Sequence, residues 1–378
     1  MRRLYRESAQ GSRNLAPSIK SRIYGTLPSG KTVEIWTLAG RSGLVLEAIT
    51  YGGIVTRLLA PDRNGQLDDV VLGYDNLEGY LTGKFYFGAI TGRVAGRIPN
   101  AQFTLNGTTY NLARNDSPNH LHGGLDGFNK KIWTAIAVER ADGAPSLRLS
   151  YLSPNGEEGY PGNLQVAVTY TVTDDNVFLI ETEATTDRTT PMSLTHHSYF
   201  NLGGHAAGSI LDHSIAVFAD EFVPLNEHIA LTGTMEPVRA DNDLRNPRVL
   251  ADIVPHFFAR HGDMYALPAH VNHQPVRAAR VEHAPTGRVL TASTTESFLQ
   301  LYTGSHLEGP IAGKAGATYA RHAGLCLECE GYPDPSKSTL RGSTLVHPGQ
   351  AQHHVTAYAF SVAGADDTAG AGINFTRE

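Results

Sequence analysis

LQVAVTYTV, residues 164–172, is the stretch that decides the fold. Leu164, Val166, Val168, Tyr170 and Val172 alternate with Gln165, Ala167, Thr169 and Thr171, and a period of two puts all five apolar side chains on one face of an extended chain. The same alternation recurs at 31–38, 44–50, 146–152, 177–184, 214–218, 288–294 and 354–362. Helical spacing is nowhere sustained. Phe103-Thr104-Leu105 and Thr108-Thr109-Tyr110 flank Asn106-Gly107, a pair that tolerates the positive φ of a type I′ hairpin turn. Glycine (39 residues) and proline (20 residues) punctuate the chain at turn positions, which keeps the strands short. Many short strands with frequent turns predict an all-β, antiparallel sandwich or barrel rather than a βαβ fold.

The 378 residues are enough for a sizeable core, and 41 % hydrophobic against 18 % charged residues is a globular profile. With no fixed-period repeat and no low-complexity linker, one large β domain over 23–363 is the simplest organisation. A basic, polar extension is expected at 1–22 and an Ala/Gly/Asp-rich tail at 364–378. The net charge of −6 gives no reason to expect nucleic acid or an anionic membrane as partner. Neither an apolar signal core in the first twenty residues nor eighteen consecutive apolar residues anywhere is found, so the expectation is a cytoplasmic protein, monomer or homodimer.

Cys326 and Cys329 form a C-x-x-C, a spacing shared by redox and zinc sites. Their segment, Leu325-Cys326-Leu327-Glu328-Cys329 between Gly324 and a Gly-Tyr-Pro turn, reads as a strand. Strand positions three apart lie about 10 Å from one another on opposite faces, whereas a disulfide needs Cα atoms within roughly 7 Å. Two reduced thiols packed as small hydrophobes are expected.

Four polar clusters carry the chemistry: Gly92-Arg93-Val94-Ala95-Gly96-Arg97-Ile98; Pro118-Asn119-His120-Leu121-His122-Gly123-Gly124; Thr195-His196-His197-Ser198-Tyr199-Phe200-Asn201-Leu202; and Leu325 to Asp334, LCLECEGYPD. Taken alone, Glu328 is as well read as a solvated glutamate on a strand. The apolar Cys326 on its face implies cover, however, and a covered carboxylate needs a partner or a purpose. His196 and His197 point to opposite faces if extended. His120 and His122 would share one face and suggest a zinc pair, but the segment offers no completing ligands, so no metal is expected. Arg93 reads as structural; Arg97 and Asp243 have ordinary surface readings beside functional ones.

In this order the clusters resemble the aldose 1-epimerase (galactose mutarotase) family. Ala60-Pro61-Asp62-Arg63, Asp69 to Asp75 and Gln300-Leu301-Tyr302-Thr303-Gly304 extend the resemblance from near Tyr24-Gly25 to near Val362. It implies a β-supersandwich with the sugar in an open cleft, Glu328 as general base and His197 as general acid. It further implies Arg97, His122, Tyr199, Asp243 and Gln300 as residues that hold the sugar hydroxyls and ring oxygen. Mutarotation asks for such a pair: one proton leaves the anomeric hydroxyl while another reaches the ring oxygen, and no cofactor takes part. The sequence departs from the pattern at Gly96, where Asn is usual, at Glu330, where Gln is common, and in the altered stretch Gly262-Asp263-Met264-Tyr265. These departures bear on which sugar fits. The rival readings are a non-catalytic carbohydrate-binding module and a hexose-6-phosphate epimerase, the latter with Arg245 and Arg248 holding the phosphate.

Overall fold

A computed structural model describes residues 16–257, 261–270, 273–337 and 340–364. The stretch 164–172 forms the strand Leu164–Val172. Its five alternating apolar residues are all at most 1 % exposed. It pairs antiparallel on both sides, with Ser146–Ser153 and with Val177–Thr186. These belong to a nine-stranded sheet that runs in space as Thr134–Val138, Ser146–Ser153, Leu164–Val172, Val177–Thr186, Gln352–Val362, Arg288–Thr294, Val276–His283, Ser214–Val217 and Arg248–Val249.

Two five-stranded sheets complete the layers. One orders Ser18–Thr26, Thr32–Ala39, Val45–Ile49, Val55–Pro61 and Leu67–Asp69. The other orders Glu236–Pro237, Glu221–Val223, Asp263–Ala266, Phe298–Tyr302 and Cys326–Glu330. Leu38, Leu46 and Leu58 from the first and Phe222, Tyr265, Leu299 and Leu327 from the second share one core cluster with Val168, Tyr170, Phe178, Leu290 and Phe360 of the large sheet. An apolar layer shared between facing sheets is the hallmark of a sandwich. The fold is an all-β antiparallel sandwich. The described α-helices, Leu77–Thr82 and Leu250–Phe257, are short, and among the described residues no helix is long and apolar enough to cross a membrane.

The hairpin at Asn106-Gly107 forms with φ of 52° and 76°, as those two residues allow. Residues 18–22 of the expected extension at 1–22 belong instead to a strand, Ser18–Thr26, in register with Thr32–Ala39, and Ile19 packs on the core. Residues 1–15 and 365–378 lie outside the described residues. The two cysteines are free. They face opposite ways, Cys326 into one apolar cluster and Cys329 into another.

One buried cation ties the first sheet to the far end of the chain. Lys314 is 5 % exposed, and its ammonium donates to Asp69 Oδ2 (2.6 Å), Thr56 O (2.8 Å) and Val71 O (2.7 Å). All three donors are thereby used, which is the condition under which a buried ammonium is tolerable. Arg93, 2 % exposed, plays a similar part, donating to Pro161 O, Gly162 O, Thr190 Oγ1 and both oxygens of Ser153.

Candidate active site

The strand Cys326–Glu330 is buried along its whole length. Leu325, Leu327 and Cys329 enter the main core, so alternation turns Glu328 to the opposite face. There Glu328, 3 % exposed, is in register with Gln300 of the neighbouring strand Phe298–Tyr302. Gln300 donates its amide to the carbonyl of His261 at 3.1 Å.

His197 reaches the same spot from another part of the chain. Thr195–His196 pairs with Ile90–Thr91, and the His197 N–H donates to Ala89 O (2.9 Å) while its carbonyl accepts from Gly88 N–H (2.9 Å). His197 Nε2 stands 3.4 Å from Glu328 Oε2. Its ring lies between Tyr86 and Tyr199, nearly parallel to both, with centroids 5.7 Å and 5.1 Å away. On the other edge the Cys326 thiol is 3.5 Å from Nδ1. Burial, then the charge of Glu328, pushes that thiol well above its usual range. A thiol that stays S–H can donate to Nδ1 of the neutral ring and accept from it when the ring is charged. His196 turns away into Tyr170, Phe178 and Tyr358, as two adjacent strand residues must.

His122 is brought in by a bend rather than by a strand face. Its φ is +51°, so His120 and His122 do not share a face. His120 is locked between Ala113 O and the Tyr160 hydroxyl, each 2.8 Å away, as a structural residue. The next residue, Gly123, permits the bend: a Cβ there would lie 1.6 Å from Gly92 O. His122 Nδ1 accepts from Gly96 N–H at 3.2 Å, which places its own proton on Nε2. Its ring meets His197 edge-on at 5.2 Å. Arg97, in Arg97–Ile98 paired with His120–Leu121, donates Nε–H to Asp116 Oδ2 at 2.7 Å.

Burial sets the protonation. It pushes Glu328 up to about 8 against the pull of Arg97, and it pushes His197 down to about 4. Burial, then the neighbouring His197 and Arg97, holds His122 well below the usual imidazole range. Glu328 and His197 therefore hold one proton between them across the neutral range. A pair that shares one proton can give at one atom and take at another.

His122, His197 and Glu328 also offer ligand atoms within 4.8 Å of one another, the spacing of a metal site. The donor set argues against that use, because the Gly96 N–H makes His122 Nε2 a donor rather than a lone pair. The second such group, Asp212, His213 and His283, is likewise engaged: His213 Nε2 accepts from Leu202 N–H at 2.9 Å.

Of the residues read from the sequence, Glu328, His197, His122, Tyr199, Arg97 and Gln300 lie on or around one face. Asp243 is engaged elsewhere. Its carboxylate is taken by Arg245 in the adjacent turn, at 2.6 Å and 2.9 Å, where the guanidinium outcompetes more distant partners. Asp263 is buried and accepts from Asn242 at 2.9 Å. Three contributors went unread: Tyr86 (φ +55°), Asp116, and His261 (φ +55°), the last stacked on His306 at 3.6 Å. Their local sequences carry no motif, and they arrive through tertiary contacts.

Comparison with known proteins adds the decisive observation. The model of the aldose 1-epimerase family matches residues 34–359. The chain belongs to the aldose 1-epimerase family. The mouse galactose mutarotase is 41 % identical over 348 residues, which cover 92 % of this chain and 99 % of that one. The aldose 1-epimerase of Escherichia coli K12 is 31 % identical over 341 residues, covering 88 % and 96 %. Among solved structures, an aldose epimerase homologue from C. elegans superposes with a TM-score of 0.77 at 26 % identity, covering 86 % of this chain and 97 % of that one. A galactose 1-epimerase from Lactobacillus acidophilus has the same fold, with a TM-score of 0.78 at 21 % identity and coverage of 92 % and 99 %. This aldose 1-epimerase is an isomerase: it interconverts the α and β anomers of free aldoses.

Proposed function

We propose that Glu328 and His197 carry the proton transfers of this epimerase and that D-galactose and D-glucose are among its substrates. The observation that supports the reading is the 3.4 Å approach of His197 Nε2 to Glu328 Oε2, with both groups nearly inaccessible to bulk water. In the reactive form Glu328 is ionised and His197 is the imidazolium. Glu328 takes the proton of the anomeric hydroxyl as His197 delivers one to the ring oxygen, and the ring opens to the aldehyde. Rotation about the bond between carbons 1 and 2 exposes the other face of the carbonyl. Closure then returns both protons, so the pair ends as it began.

The remaining residues hold the sugar. His122 presents Nε2–H beside His197, and the Gln300 amide and the Arg97 guanidinium reach the same face with hydrogen-bond capacity beyond the bonds they already make. Tyr199 supports by stacking on the His197 ring. Asp243 is left out of this set because Arg245 holds it. The same pairing weakens the phosphate reading, since Arg245 is already engaged by Asp243 and Asp220. A non-catalytic module would have no use for a buried acid–base pair.

The test is the polarimetric decay of freshly dissolved α-D-galactose and α-D-glucose, alongside glucose 6-phosphate. The two free sugars should equilibrate faster in the presence of the protein. Acceleration of the phosphate ester alone would overturn the substrate assignment.

A further inference from the structure

Glu330 follows Glu328 by two residues on the strand Cys326–Glu330, so alternation directs both carboxyl groups to the same face. It is 1 % exposed. Its Oε2 is fully enclosed and has no hydrogen-bond partner among the described residues. Its Oε1 lies against Gly96, where an added Cβ would stand 2.9 Å from that oxygen and 3.1 Å from the Pro333 ring. Gly96 is no neutral spacer. Its φ is +75°, its N–H orients His122, and it directly precedes Arg97. Glu330 thus meets the one peptide that connects two of the residues assigned to the sugar.

An enclosed carboxyl oxygen without a donor is costly, and proteins retain such groups where they serve a purpose. Among the described residues no donor meets its Oε2 to give it a structural one. We propose that Glu330 determines sugar specificity: its carboxyl group, packed against the Gly96 peptide beside Arg97 and His122, contacts a ring hydroxyl remote from the anomeric centre. The inference rests on Glu328 acting at the anomeric hydroxyl. Two residues along a strand span about 6.6 Å, comparable to the width of a six-membered sugar ring with its substituents. With oxygen 1 at Glu328, the hydroxyl that meets Glu330 is the one on carbon 3 or carbon 4. Burial, then the charges of Glu328 and Glu296, keeps this carboxyl protonated against the pull of Arg97. A neutral carboxyl both donates and accepts, as a hydroxyl does.

The experiment compares kcat/KM of the full chain with E330A, E330Q and G96N on D-glucose, D-galactose, D-allose and D-mannose, which differ from glucose at carbons 4, 3 and 2 in turn. E330A should change the ratio of glucose to galactose, or of glucose to allose, by about tenfold or more, the scale of one hydrogen bond lost from an enclosed partner. The ratio of glucose to mannose should stay within about twofold. G96N brings a Cβ within 2.9 Å of Glu330 Oε1 and so displaces that carboxyl; it should move the same ratio, which keeps the test decisive should E330A not fold. E330Q, which preserves shape, should retain most of the selectivity. An equal loss on all four sugars, or no loss on any, overturns the proposal. E328Q measured in parallel separates the two assignments, because full activity in that variant removes the base itself.

Discussion

Glu328→Gln should abolish catalysis and at the same time stabilise the protein. The folded carboxyl titrates at about 8 and its ordinary value is 4.5. A carboxyl whose folded value is raised contributes stability that is complete below pH 4.5 and is lost as pH rises toward 8. Each unit of that rise costs roughly 1.4 kcal/mol. At pH 7 the cost reaches about 3 kcal/mol as an upper bound, reduced by whatever charge Arg97 and His197 supply. Glutamine has nearly the same shape and no proton to lose, so urea unfolding at pH 7 should show a gain of about 1–3 kcal/mol over the native chain. The gain should shrink toward zero at pH 4.5. Activity should move the other way. Loss of a positioned base costs about 10²- to 10⁴-fold in rate, or ~3–5 kcal/mol of barrier. The polarimetric rate on α-D-galactose, after subtraction of the spontaneous decay, should fall to the background. The native chain should show a bell-shaped pH profile, since the pair must hold a single proton. Its limbs should lie near 4, where His197 gains a second proton, and near 8, where the last one is lost. A variant that keeps more than about a tenth of the native rate, or that is less stable at pH 7, would refute the reasoning.

Cys326→Ala removes the thiol contact at His197 Nδ1 that can accept from the imidazolium, so kcat should fall by about tenfold with KM little changed, while Cys326→Ser should recover most of it; steady-state kinetics on galactose decides. Asp243→Ala should leave KM within about twofold of native, because its carboxylate is held by Arg245; a large rise in KM would return it to the sugar site. Lys314→Met strands Asp69 and two carbonyls in the core. Urea denaturation should register a loss of about 3–5 kcal/mol, and an unchanged midpoint would show that water replaces the ammonium.

The sandwich was legible because its strands bury one face, as the sequence at 164–172 already displays. The boundary of the first strand was not, since Ile19 stands alone among Ser18, Lys20, Ser21 and Arg22 and the strand pairs along an edge. Glu328 and His197 were legible through their motifs, and the period of two correctly assigned their faces and those of the two cysteines. The H-x-H segment was misread for a backbone reason: the left-handed conformation at His122 breaks the alternation that would have put His120 beside it. The hold of Arg245 on Asp243 was not legible either, although an aspartate two residues from an arginine in a turn finds its partner locally. Tyr86 and His261 lay beyond any pattern, for their positions follow from left-handed residues in loops that only the packed sheets select.

The strand Gln352–Val362 lies in the middle of the nine-stranded sheet, between Val177–Thr186 and Arg288–Thr294. During synthesis the two flanking strands therefore leave the ribosome with facing edges unpaired, and they wait for a segment made more than a hundred residues after the first of them. Until it inserts, each edge is a template for another chain. Among the described strands, the last to be made is thus the one that seals the sheet, and the nascent protein is most prone to aggregate just before that segment emerges.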